Sequence, residues 1–460
     1  MHVRRSVWYG RAVPSLRRLA LLVVVGMAVG LVVARAVRTP SGTAAPNVVL
    51  IVLDTLRADR VGTGLTPVLD RFAADAVVYE RAYSASSWTV PSVASLLLGQ
   101  YPSEHQVLVV NAVLPEHALS IAEVLTAHGW VSGGFSANLE ISGDAGFGQG
   151  FDAFRVVFAP PKEDAARVTS AALEWLDDVA PRRRPVFLYL QYMEPHGPYR
   201  AHTGVTAPPA APLGVDDALL AGRVNDGAFL VRDGAPLPDA WRFTPPELAR
   251  LAQLYDGEVA YLDASLGELF AALDARGILR DAIVVVTADH GEQLGEHGLF
   301  SHGHTLFEQT IHVPLLVRLP GTAPRRVTAP VSAAGVAPAV LRHLAIPVPA
   351  SFDVPPLPLD DDGTGVAYSE AFKGQASYLL LHRRAVVGRA GKLLVTPGGE
   401  ELFFDLAEDA SESRPTANAP FARALRAALP PAVADAAVTP AGAPADGDLR
   451  ARLRALGYAD

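Results

Sequence analysis

Residues 47–62 read NVVLIVLDTLRADRVG. Within them Val48–Leu53 is apolar at every position and rich in β-branched side chains, with no alternation of polar and apolar residues. A strand of that kind is buried on both faces, which is the habit of a mostly parallel sheet packed between helices. Val186–Leu190 and Ile283–Thr287 have the same character. Residues 255–278 (YDGEVAYLDASLGELFAALDARGI) carry apolar residues at helical spacing and lead into the 283–287 run. This alternation predicts an α/β fold with a large, central, mostly parallel sheet flanked by helices over residues 47–345. Strand-like pieces at 366–368, 385–388 and 392–396 predict a smaller C-terminal α+β subdomain over 346–429. An Ala/Pro linker and a short helix, 448–456, complete the 430–460 segment. Residues 203–245, rich in Gly, Pro, Ala and Asp, read as a surface excursion, and there is no internal repeat.

The chain has 460 residues, half of them hydrophobic and 19% charged, enough to bury a sizeable core. Its net charge of −9 argues against a nucleic-acid partner, which calls for a basic surface. With 0 cysteines it has no disulfides, thiolate metal sites or cysteine nucleophiles.

Residues 19–34 (LALLVVVGMAVGLVVA) are uncharged and apolar, preceded by Arg4, Arg5, Arg11, Arg17 and Arg18. A membrane span needs roughly 20 such residues, so the run is short for an anchor and also fits a secretory signal. The arginine bias puts the N-terminus in the cytoplasm and the rest outside. Without a small-x-small cleavage pattern before Arg35, the reading is an uncleaved anchor over residues 1–36, followed by a linker, 37–46 (VRTPSGTAAP). The expected location is the cell membrane, with the catalytic domain on the extracytoplasmic side. The Ala/Arg/Pro-heavy composition is that of a GC-rich bacterial genome, so that side is periplasm or cell surface.

Ligands of open α/β sheets bind beyond the carboxyl ends of the strands. Val48–Leu53 runs into Asp54, and Ile283–Thr287 leads to Asp289-His290-Gly291. Carboxylates and an imidazole from two neighbouring strand ends can converge on one divalent cation, although a lone strand-end Asp also serves as a helix N-cap. Five of the 13 histidines, His290, His297, His302, His304 and His312, fall within 23 residues. Ser86–Ser95 (SSWTVPSVAS) describes a hydroxyl-rich loop entering a helix N-terminus, a place that attracts anions. A hydroxyl there beside a cation is acidified and can act as a nucleophile; the alternative is an N-cap at Thr89 or Ser92. Gln191–Tyr199 (QYMEPHGPY) sets His196 between prolines on a strand-end loop, where it can serve a substrate oxygen or a leaving group.

These segments, in this order, resemble the sulfatase family of the alkaline phosphatase superfamily over most of residues 46–412. The blocks are NVVLIVLDTLRADRVG, TPVLDRFAADAVVYERAYS, TVPSVASLLLGQYPSEHQV, EPHGPY, YDGEVAYLDASLGEL, TADHGEQLGEHGLF, HTLFEQTIHVPLLVRLPG and ELFFDLAEDASE. The resemblance implies a large α/β domain with a smaller antiparallel-sheet domain. It makes Asp54, Asp289 and His290 metal ligands and Thr89 the nucleophile position, itself at the metal. His196 becomes a substrate-binding or leaving-group histidine, and His304 lies in the block that completes the site.

Four departures alter what the resemblance implies. The family's Cys or Ser, which is converted to formylglycine, is Thr89, and threonine cannot yield that aldehyde. The arginine that holds the modified residue is Val93. The second aspartate of the first pair is Thr55, so a carboxylate-rich calcium site is one ligand short. The lysine before the HTLFE block is Gly303, with His302 beside it as a substitute substrate ligand. An unmodified threonine with two Asp and one His resembles instead the superfamily's phosphate-handling branches, which use threonine directly on Zn or Mn. The expectation is a metal-dependent phosphoester hydrolase or transferase with one divalent cation, Zn or Mn favoured over Ca, and no formylglycine. A second cation would draw on His196, His302 and His304, but the sequence offers no complete second set. The substrate is an anionic ester on a phospholipid headgroup, a glycan or a small molecule. Two alternatives stay open: sulfate-ester hydrolysis, and an inactive relative that binds an anion or glycan.

Overall fold

The computed structural model describes residues 45–110, 112–157, 165–180, 183–202, 217–228, 243–360, 365–372, 382–416 and 421–431. Met1–Ala45 forms one unit and Pro46–Asp460 another. The apolar run 19–34 and the helix expected at 448–456 lie outside the described residues. Among the described residues no helix is long and apolar enough to cross a membrane.

An eight-stranded sheet carries the second unit. Its strands in chain order are β1 (Val48–Leu53), β2 (Val77–Tyr79), β3 (Val131–Ser136), β4 (Ala153–Val156), β5 (Val186–Tyr192), β6 (Ile283–Ala288), β7 (Leu315–Arg318) and β8 (Arg325–Val327). Across the sheet they run β8-β2-β7-β6-β1-β5-β3-β4. The pairs around β1 are parallel, while β7 runs antiparallel to both β6 and β2. The three strands expected from their unbroken apolar runs stand side by side at the centre, each buried along its whole length. Their register places Leu53 opposite Tyr192 on one side and Ala288 on the other. The residues that follow these three strands therefore emerge at one level on one edge of the sheet.

β3 was not among the expected strands, and its Gly133-Gly134 pair is unusual inside a strand. Both are required by packing. A Cβ on Gly133 would lie 2.8 Å from the Trp175 ring, and one on Gly134 would lie 2.4 Å from Phe154, on the opposite face of the strand. Aromatic side chains close over the missing Cβ atoms on each face.

The helices that bear on the site are α1 (Thr89–Leu98), α2 (Ala165–Val179) and α3 (Pro245–Ala275). Every residue of α1 is buried, and Gly99, with φ of 61°, closes it in the left-handed conformation. The 31-residue α3 begins ten residues before the stretch of helical spacing at 255–278. Thr244 caps it by accepting from the Glu247 amide, the Glu247 side chain accepts in return from the Thr244 amide, and Pro245 and Pro246 fill the first positions. What read as the end of a proline-rich excursion is a helix start. Asp217–Ala228 within the same excursion is also helical.

The C-terminal subdomain is an antiparallel sheet of β9 (Val366–Ala371), β10 (Arg383–Gly388), β11 (Lys392–Val395) and β12 (Glu401–Phe404), with α4 (Ala422–Ala428) against it. A buried ion cluster ties it to the main domain. Lys392 Nζ on β11 lies 2.7 Å from Glu412 Oε1 and 3.2 Å from Glu308 Oε1, and the Glu308 amide donates to Glu412 Oε2 at 2.6 Å.

Lys392→Met strands two buried carboxylates, and the expected loss is about 3–5 kcal/mol of unfolding free energy by urea denaturation. A loss below about 1 kcal/mol would mean the cluster is solvated. His105 gives a pH test. It is buried, its Nδ1 accepts from the Val107 amide, and its Nε2 therefore donates to Ser95 Oγ at 3.0 Å. Burial pushes its pKa down from 6.5 to about 4. Its neutral form thus contributes stability that is complete above the unfolded value and is lost as pH falls from 6.5 towards 4. Between about pH 7 and pH 5 the His105→Gln variant should lose roughly 2 kcal/mol less than the wild-type chain. Equal losses would contradict the assignment.

Candidate active site

Asp54 follows β1, and Asp289 and His290 follow β6, so the parallel register brings all three to one edge. All three are fully buried. One ligating atom from each lies within 4.8 Å of the others, and among the described residues this is the group found with cation-binding geometry. His290 Nε2 stands 3.6 Å from Asp54 Oδ1 and 3.7 Å from Asp289 Oδ2. Its Nδ1 lies 2.9 Å from the Gly291 carbonyl, which can only accept, so Nδ1 carries the proton and Nε2 is the unprotonated, accepting nitrogen. Gly291 is obligatory, because a Cβ there would meet the Gln309 carbonyl oxygen at 2.1 Å.

The donor set fits one divalent cation. Asp54 Oδ1 and Asp289 Oδ2 are buried acceptors without a hydrogen-bond partner, and they flank the unprotonated imidazole nitrogen. The other oxygen of each carboxylate is engaged. Asp54 Oδ2 accepts from Asn138 Nδ2 at 3.0 Å, and Asp289 Oδ1 accepts from the amides of Thr55 (3.3 Å) and His290 (2.9 Å). Burial, reinforced by the charge of Asp289, raises the Asp54 pKa well above its usual value, and burial raises Asp289 to about 7. Two such groups retain a proton between them unless a cation offsets their charge.

Thr89 is the first residue of α1 and is fully buried. It is not the N-cap; Trp88 occupies that position, with no side-chain capping bond. Nor does Ser92 cap, since its hydroxyl donates to the Ser86 carbonyl at 2.8 Å. The Thr89 hydroxyl instead faces the triad, 3.2 Å from His290 Nε2 and 3.5 Å from Asp54 Oδ2.

His302 and His196 extend the cluster. The His302 ring centroid lies 4.4 Å from that of His290 and 5.0 Å from that of His196. His302 Nδ1 lies 3.0 Å from Glu292 Oε1, and His196 Nδ1 lies 2.6 Å from the Gly197 carbonyl. Both rings are thus pinned through Nδ1. Burial, then the neighbouring His302, pushes the His196 pKa down to about 3, so at neutral pH it is an uncharged ring whose Nε2 accepts rather than donates. His304 is half-buried on the same loop and is not part of the three-ligand group. Nor do His196, His302 and His304 form a second such group.

Several residues of the site went unassigned in the sequence. Asn138, which orients Asp54, follows the strand hidden by Gly133-Gly134. Glu292 lies inside the DHGEQ block without a role evident from spacing. Tyr255 and Glu258 come from α3: Glu258 accepts from the Arg200 amide at 2.6 Å and pairs with His202 at 2.7 Å, holding the far end of the loop that bears His196.

Cation content separates these layers. Dialysed against Mn(II) or Zn(II), Asp54→Ala and His290→Ala should retain no stoichiometric metal by elemental analysis. Asn138→Leu should weaken binding by roughly 10–100-fold. Unchanged affinity in Asn138→Leu would show that Asp54 needs no orienting partner.

The family model for sulfatases matches residues 46–346. Mouse iduronate 2-sulfatase is 25% identical over 362 residues, covering 64% of this chain, and the chain spans 62% of that protein's length. An ulvan-active sulfatase of Formosa agariphila is 24% identical over 405 residues, covering 79% of this chain and 75% of that one. Among solved structures, BT4656 in complex with its substrate D-glucosamine-2-N,6-O-disulfate superposes with a TM-score of 0.67 at 17% identity, covering 84% of this chain and 96% of that one. The phosphonate monoester hydrolase of Agrobacterium radiobacter gives 0.66 at 21%, covering 83% and 94%. The fold, with its mostly parallel sheet and small antiparallel C-terminal sheet, is shared with these structures, and the chain belongs to the sulfatase family.

Proposed function

We propose that this chain is a metal-dependent phosphoester hydrolase or transferase in which unmodified Thr89 is the nucleophile. The observation that carries the reading is the Thr89 hydroxyl: buried, uncommitted to helix capping, and 3.2 Å from the unprotonated His290 nitrogen. A cation held by Asp54, Asp289 and His290 would supply acidification of that hydroxyl and neutralisation of the ester's charge. The α1 N-terminus adds amide dipoles aimed at the anion. Thr89 Oγ bonds to phosphorus as the bond to the leaving oxygen breaks, and the proton that leaves Thr89 ends on the departing alcohol. Water or an acceptor alcohol then bonds to phosphorus as the bond from phosphorus to Thr89 Oγ breaks, and its proton passes by way of the accepting nitrogen of His196 to Thr89 Oγ, which regains a hydroxyl. Burial of the cluster excludes bulk water during the first step.

The substrate on this reading is an anionic ester. The iduronate and ulvan relatives favour a saccharide as its alcohol. They also support a second reading, sulfate-ester hydrolysis by the unmodified threonine. The N-terminal segment would hold the domain at the outer face of the membrane.

The test is turnover of aryl phosphodiester, phosphomonoester, phosphonate and sulfate substrates after metal stripping, and again with Mn, Zn or Ca restored. The expected result is phosphoester or phosphonate turnover that needs metal and falls by at least about 10³-fold in Thr89→Ala. Turnover of the sulfate alone would establish the second reading. Metal-independent turnover, or full activity in Thr89→Ala, would overturn both.

A further inference from the structure

The block YDGEVAYLDASLGEL matches the family, yet the chemistry proposed above assigns no task to its first residue. Tyr255 is fully buried on α3, and its hydroxyl meets the turn that follows Asp54. It donates to the Thr55 carbonyl at 2.7 Å and accepts from the Arg57 amide at 3.0 Å, bracketing the turn at both ends. Between these bonds Thr55 has φ of 60°. A β-branched residue in the left-handed region is a genuine outlier, and it persists only where its surroundings hold it. Thr55 is buried, and its own hydroxyl donates back to the Asp54 carbonyl at 2.7 Å.

This conformation has a specific product. It aims the Thr55 amide at Asp289 Oδ1, which also accepts from the His290 amide, so both bonds fall on one oxygen. Oδ2 is left bare, 3.7 Å from His290 Nε2. The turn after β1 thus sets the orientation of a carboxylate on β6. The same turn continues into Arg57, whose guanidinium donates to the Glu292 carbonyl at 3.1 Å and steadies the loop after His290.

We propose that Tyr255 is a positioning residue: its hydroxyl holds the left-handed Thr55 turn and, through it, selects the Asp289 oxygen that faces the candidate cation position. This rests on the cation reading above.

Tyr255→Phe removes one oxygen and keeps the ring, so it tests the hydroxyl alone. The experiment is calorimetric titration of metal-stripped protein with Mn(II), alongside thermal unfolding of the metal-free form. Leu254→Ala, one residue earlier on α3 and also buried, is the control for general loosening of the helix, and Asp54→Ala is the control for the site. The expected result is a 10-fold or greater loss of Mn(II) affinity in Tyr255→Phe, on the order seen when a ligand's supporting hydrogen bond is removed, with Leu254→Ala destabilised but binding Mn(II) as the wild type does. Wild-type affinity in Tyr255→Phe overturns the proposal while leaving the cation reading intact. Equal affinity losses in Tyr255→Phe and Leu254→Ala also overturn it, since the effect would then be structural. If the wild-type chain and Asp54→Ala bind Mn(II) alike, the cation reading itself fails and takes the proposal with it.

Discussion

Two carboxylates are buried side by side at the ends of neighbouring strands, and their charge has to be met. Asp54 and Asp289 have no exposure to water, and each presents an oxygen without a hydrogen-bond partner towards the unprotonated nitrogen of His290. Leaving even one ionised carboxylate uncompensated in such a place costs several kcal/mol. On the reading proposed above, a fold that keeps two there is organised around a bound cation. The central strand register, the left-handed Thr55 turn and the Asn138 amide all decide which oxygens point at that charge. Thr89 then sits beside it on α1.

The same constraint explains why the supports come from so far away in the chain. Asn138 reaches Asp54 from β3, Thr55 reaches Asp289 from the neighbouring strand end, and Glu292 pins His302 ten residues on. Hydrogen bonds that leave one chosen oxygen free have to come from elements already fixed by packing. The helix α3 supplies two of them: Tyr255 at the Thr55 turn and Glu258 at the His196 loop.

How much of this was legible in the sequence follows from the range of each interaction. The strands β1, β5 and β6 were readable because burial on both faces imposes a local composition. Asp54, Asp289 and His290 were readable because strand ends are where α/β sheets place ligands. Thr89 became readable as a nucleophile position only through the family resemblance, since on its own it was as good an N-cap; the structure gives the cap to Trp88. β3 was hidden because the residues that allow it to pack, Gly133 and Gly134, are also turn formers, and Asn138 was hidden with it. The start of α3 was hidden by Pro245 and Pro246, which serve a helix start as well as a loop. Tyr255 acts on a residue 200 positions away, and no local pattern encodes that.

On the proposed reading, unmodified Thr89 forms the covalent bond to substrate. This step is tested most directly by acid-quenching the metal-loaded protein during turnover of a phosphodiester or phosphonate ester and analysing the peptide that contains Thr89 by mass spectrometry. One added phosphoryl or phosphonyl group on Thr89 is expected, present in the wild-type chain and absent in Thr89→Ala. Turnover with no adduct, or an adduct on another residue, would contradict it.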